Sequence, residues 1–225
     1  SFPIISIYAI NSLLIHQLSV QEVIDHVHIS SLSISLELIN TYVLILICIF
    51  YCVFLEHRSI QSLGFTSKKP ILEYLKGFLL GFILFISAWF ISIVTGAIKY
   101  EFTGFSPMII LFFIGFIVQG LSEEVLCRGF LMQTLSTRYH PLVAVLLNSI
   151  LFSVLHLSNN GISLLAVINL FLFGLFASLY FWKSGNIWGI AAIHSAWNFT
   201  QGNLLGVQVS GINAGPSIIL STGIQ

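Results

Sequence analysis

The sequence carries little charge. Of its 225 residues, eight are Lys or Arg and eight are Asp or Glu, and the two sets cancel at neutral pH. Soluble domains are charged at about a quarter of their residues, so a soluble globular fold is excluded, and disorder is excluded more firmly. Eight scattered cations cannot make the basic patch that phosphates require, which removes nucleic acid as a partner. Cysteine is scarce: Cys48, Cys52 and Cys127 are too few for a disulfide framework, and their apolar neighbours say nothing of redox compartment. Aspartate is scarcer still, with Asp25 alone, so a pair of membrane aspartates is missing. His-Glu-x-x-His and Gly-x-Ser-x-Gly are also absent.

What the sequence does have is apolar residues, 57% of the chain, in stretches near 20 residues broken by short polar or Gly/Pro-containing links. That is the spacing of helices crossing a hydrocarbon core, where every backbone polar group must be satisfied within the helix. The spans fall near 2–18, 32–56, 75–98, 107–134, 141–158, 162–182 and 187–206. The apolar tail 216–225 is too short to cross and reads as the start of an eighth helix, cut off; Ser1 in place of Met reads as a trimmed N-terminus. The expected architecture is all-α: a polytopic bundle of seven to eight transmembrane helices, one domain over 1–225 with its catalytic core at about 107–206. Membrane lipids are then its first partners.

Lys and Arg near helix ends are retained on the cytoplasmic side. Arg58, Lys68, Lys69, Lys76, Arg128, Arg138 and Lys183 lie in or beside alternate links, and only Lys99 falls on the other face. This places the links after 57, 135 and 183 inside. The small-xxx-small pairs Gly77 with Gly81, Gly185 with Gly189 and Gly202 with Gly206 suit close helix packing.

Most charges sit in links or near helix ends, but Glu123, Glu124 and Arg128 lie in an apolar run from Met108 to Met132. A charge at the centre of a membrane helix costs about 2.5–3.5 kcal/mol even on insertion scales, so three within six residues demand a reason. Glu124 and Arg128 are one turn apart and can pair; Glu123 points about 100° away and needs another partner. A helix end among headgroups would be the plain explanation. Against it stand Phe152-Ser-Val-Leu-His156 and His194-Ser-Ala-Trp-Asn198, which put two histidines and an asparagine inside other apolar spans. A lone histidine there is usually an interhelical hydrogen-bonding partner, whereas this set on three helices suits hydrolysis. A buried carboxylate can take a proton from water, and imidazole and amide donors can hold a developing oxyanion. Two histidines and a Glu (Glu123, His156 and His194) are equally an open zinc ligand set, and the residues alone do not choose. Cys127, the remaining nucleophile candidate, reads as inert packing.

These residues resemble the CAAX protease and bacteriocin-processing (CPBP, or Abi) family of intramembrane proteases. Its Glu-Glu-x-x-x-Arg motif matches Glu123 to Arg128, Phe-x-x-x-His matches Phe152 to His156, and His-x-x-x-Asn matches His194 to Asn198. The resemblance spans roughly 60–206 and includes Ser62-Leu63-Gly64-Phe65. It implies a water-activating base at Glu123 assisted by His156, an oxyanion site at His194 and Asn198, and a supporting Glu124–Arg128 ion pair. It leaves a metal such as zinc open, and it departs from the family at Cys127, where an aromatic residue is common. The implied function is an intramembrane endopeptidase of membrane-bound or lipidated peptides, in a bacterial plasma membrane with its cavity open to the cytoplasm. The alternatives are a non-catalytic immunity or scaffold protein of the same fold, and a proton-coupled transporter, which should show inverted repeats that the sequence lacks. For a shared site the helix at 141–158 must either begin outside the hydrocarbon, which is the expectation, or tilt, so that His156 reaches Glu123; a separation beyond about 10 Å would break it.

Overall fold

The computed structural model describes residues 31–159, 162–211 and 214–223. Its helices are α1 (Ser31–Asn40), α2 (Tyr42–Phe50), α3 (Pro70–Val94), α4 (Met108–Glu124), α5 (Gln133–Ser136), α6 (Pro141–Leu155), α7 (Leu164–Ser184) and α8 (Trp188–Phe199). A π turn over Tyr51–Leu55 extends α2, another over Val125–Met132 joins α4 to α5, and a third over Thr200–Leu204 extends α8. Among the described residues four helices are long and apolar enough to cross a membrane: Ser31–Leu55, Pro70–Val94, Met108–Ser136 and Leu164–Ser184. The chain is a mostly helical, integral membrane protein.

Four described spans stand against the seven to eight expected. The stretch 2–18 lies outside the described residues. The stretch 141–158 yields a helix of only 15 residues, Pro141–Leu155. The stretch 187–206 yields the 12-residue α8 and its π extension, in which Gly189 to Ala196 are all buried against protein. The third span starts at Pro70, five residues before the expected 75, because proline suits the first helical turn, where its missing N–H costs nothing.

Residues 216–223 do not begin an eighth helix. Residues Ile219–Gly223 form strand β2, antiparallel to β1 (Ile98–Phe102), in register from Ile98 opposite Gly223 to Phe102 opposite Ile219. Ile218, Ile219 and Thr222 are β-branched, and a short apolar run of this kind carries no periodicity that separates strand from helix. Side chains fasten the sheet: Trp89 Nε1 donates to Ser221 Oγ at 2.9 Å, Ser221 Oγ to the Leu205 carbonyl at 2.5 Å, and Asn203 Nδ2 to the Ala214 and Pro216 carbonyls, each at 2.8 Å.

Helix α8 is the axis of the fold, and glycines let its neighbours reach it. A Cβ on Gly77 would strike the Gly189 carbonyl, one on Gly81 the Ile193 carbonyl, and one on Gly120 the Ser195 hydroxyl. Of the glycine pairs singled out for packing, Gly185 and Gly206 instead adopt positive φ where helical structure ends. The segment 62–65 wedges between α4 and α8: Gly129 rests on the Leu63 carbonyl, and Ile187 N donates to the Gly64 carbonyl at 2.9 Å.

That wedge sets a common level. Glu123 lies six residues from Gly129, and His194 seven from Ile187, so each stands about 10 Å from it at 1.5 Å per residue. His156 is 15 residues from Pro141, about 22 Å, so α6 starts some 12 Å beyond the wedge if it runs straight. This early start lets a short helix end beside the carboxylates.

Candidate active site

The polar stretch of α4 presents two faces. On one, Gln119 and Glu123 are a turn apart; on the other, Glu124 is followed a turn later by Arg128. The π turn over Val125–Met132 begins directly after Glu124, and such wide turns are frequent at functional sites. Gly129 inside it admits the Leu63 carbonyl.

The Glu124–Arg128 face is sealed. Both side chains are 0% exposed, and Arg128 Nη1 donates to Glu124 Oε1 at 2.9 Å. Nη2 donates to the Gly174 carbonyl of α7 at 3.1 Å, while the guanidinium carbon stands 4.6 Å from the centre of the Phe152 ring of α6. Arg128 thus ties three helices together, and the cost of burying it is offset by a carboxylate, a carbonyl and an aromatic face. It does not mark a membrane surface, so six cations rather than seven bear on orientation.

The Glu123 face is partly open, with its side chain 22% exposed. Oε1 accepts a 2.5 Å hydrogen bond from Gln119 Nε2. Oε2 faces His156 Nε2 at 3.7 Å and His194 Nε2 at 3.8 Å, and it is buried without a hydrogen-bond partner of its own. His156 caps the C-terminal end of α6, and His194 projects from α8. The 3.7 Å separation lies well inside the 10 Å limit for a shared site.

The far nitrogen of each imidazole is anchored. His156 Nδ1 lies 2.7 Å from the Phe152 carbonyl, which can only accept, so Nδ1 carries a proton. His194 Nδ1 donates to Glu124 Oε1 at 2.8 Å. In its neutral form each ring therefore turns an unprotonated Nε2 toward Glu123, and only an imidazolium can donate there. The aromatic walls hold the rings in place: Phe152 lies 4.6 Å from His156, and Phe173 lies edge-on to His194 at 5.1 Å, measured between ring centres.

The structure gathers Glu123, His156 and His194 at one point, with Glu124 and Arg128 behind them. Asn198 is connected differently: its Nδ2 donates to Gln119 Oε1 at 3.1 Å, so it reaches Glu123 through Gln119. Cys127 is buried at 2% exposure in the π turn that follows α4. Sequence reasoning assigned no role to Gln119, although its spacing four residues before Glu123 was a usable signal. It also missed Phe173 and the Gly174 carbonyl, for which the sequence offers no signal, since any residue supplies a carbonyl.

Residues 104–200 match the family model described as Rce1-like, "Type II CAAX prenyl endopeptidase Rce1-like". All three motifs fall within the matched segment. No curated protein and no solved structure matches the chain.

Proposed function

We propose, from the premise that residues 104–200 form an Rce1-like domain, that this protein is a CAAX-type intramembrane endopeptidase whose base is Glu123. One observation carries the reading: a carboxylate within a membrane helix has one oxygen held by an amide and the other directed at two imidazole nitrogens.

In this mechanism Oε2 takes a proton from water as the oxygen attacks the scissile carbonyl. The carbonyl becomes an oxyanion, which an imidazolium N–H at His194 stabilises; the countercharge stands ready in Glu124 on the opposite side of that ring. His156, whose Nδ1 is anchored on the Phe152 carbonyl, helps hold the attacking water at its Nε2. As the C–N bond breaks, Glu123 returns the proton to the leaving amine, so the enzyme ends as it began. The Glu124–Arg128 pair reacts with nothing and fixes His194.

A divalent metal held by Glu123, His156 and His194 is the other way such groups could activate water. Among the described residues no three His, Cys, Asp or Glu side chains are placed to hold a metal ion, so no step is routed through one.

The substrate is a membrane-bound or lipidated peptide whose own apolar anchor supplies binding, since the described links hold no soluble domain. The links bearing Arg58, Lys68, Lys69, Arg138 and Lys183 face the cytoplasm. The test is mass spectrometry of membrane peptides incubated with the purified protein and with its Glu123→Gln variant. Cleavage by the first and none by the second is expected; equal cleavage by both refutes the assignment. A chelator arm in the same assay reports on metal directly.

A further inference from the structure

We propose that Gln119 and Asn198 form an amide relay that positions Glu123, so that Asn198 acts through Gln119 and not on the reacting atoms. The inference rests on the endopeptidase reading and assigns Asn198 a different part from the oxyanion role that the family resemblance implies.

Three observations carry it. First, the bonds run in one direction, from Asn198 Nδ2 to Gln119 Oε1 at 3.1 Å, and from Gln119 Nε2 to Glu123 Oε1 at 2.5 Å. An amide has distinct donor and acceptor ends, so Asn198 fixes which end Gln119 turns to the carboxylate. Without that donor the amide could rotate and present its oxygen to Glu123, which would repel it. Second, both relay residues are nearly buried, Gln119 at 9% exposed and Asn198 at 8%, so water competes poorly for either bond. Third, Oε1 is the oxygen so engaged, which leaves Oε2 to face His156 and His194. The relay thus decides which carboxylate oxygen is the base and holds its angle.

The helices favour the arrangement. Gln119 and Glu123 share a face of α4 by their four-residue spacing, and α8 approaches α4 closely because Gly120 carries no side chain against Ser195. Asn198 lies one turn beyond His194 on α8, opposite the preceding turn of α4. Each helix therefore contributes one residue to the reacting centre and, one turn away, one residue to the relay.

The test is a double-mutant cycle with Gln119→Leu and Asn198→Ala, read as kcat and KM for a cleaved membrane peptide. Losing the bond that holds Glu123 Oε1, directly in Gln119→Leu or through a freed Gln119 in Asn198→Ala, should lower kcat about 10–100-fold, with KM changed by less than about twofold. The double variant should be no slower than the slower single variant, because both break one relay. Losses that multiply in the double variant would mean that Asn198 acts independently, and the proposal would fall. A second readout needs no activity: the Glu123 carboxylate stretching band, isolated as the infrared difference between the protein and its Glu123→Gln variant. It should shift in Gln119→Leu and in Asn198→Ala alike, and a band unmoved by either change overturns the relay. Gln119→Met replaces Gln119→Leu if the latter does not fold. If the wild-type protein cleaves nothing, the endopeptidase reading fails, and the infrared result still decides the relay.

Discussion

Arg128 offers the sharpest test of how the site is held. Replacing it with Met keeps most of its volume but removes the partner of a carboxylate that is 0% exposed. The Gly174 carbonyl remains satisfied, since Ser178 Oγ also donates to it at 2.7 Å, so the loss falls on Glu124, which keeps only His194. Breaking a buried pair by removing one partner costs about 3–5 kcal/mol, most of it the uncompensated charge left behind. For a chain of this size each kcal/mol moves the melting temperature by about 2–4 °C, so Arg128→Met should melt about 6–20 °C lower in detergent. The double variant Glu124→Gln/Arg128→Met removes both charges, and a neutral Gln oxygen still accepts from His194 Nδ1. It should recover most of the loss and melt within about 5 °C of the wild type. Thermal unfolding followed by tryptophan fluorescence would measure all three proteins. If the single and double variants melt together, the charges are not desolvated as the geometry states, and the account of Arg128 as a three-helix tie is wrong.

Two further outcomes follow from the packing. Gly120→Ala places a methyl group against the Ser195 hydroxyl and backbone, forcing α4 from α8 and lengthening the Asn198–Gln119 bond; cleavage should fall at least about tenfold, checked by kinetics beside a melting curve. Cys127→Ala should keep cleavage within about threefold of wild type, and thiol-directed reagents should not inhibit the unmodified protein, because the thiol is buried; inactivation by either would restore it as a nucleophile.

The site was legible in the sequence because charge is so scarce. Glu123, Glu124 and Arg128 interrupt an apolar run, and His156 and His194 each recur at fixed spacing from a partner, so the three motifs stood out without any fold. Span count was less legible, because hydropathy scores a residue as apolar whether it faces lipid or protein. In helix α8, Ile190, Ala191, Ala192 and Ile193 are 0% exposed, so their hydropathy reports packing against protein. The strand at Ile219–Gly223 was misread because its partner lies over 100 residues earlier, and no local pattern encodes that pairing. The π turns and the Gln119 relay are hydrogen-bond arrangements, and composition does not specify them.

The small sheet also constrains the order of assembly. Membrane helices insert first and pack afterwards, and the β1–β2 ladder closes a loop that spans α4 through α8. It can form only when residues 98–102 and 219–223 have both left the ribosome and the helices between them have come together. Its hydrogen bonds are therefore a late folding event, and slow amide exchange across Ile98–Phe102 would report that the helices bearing the three motifs have already closed around Glu123.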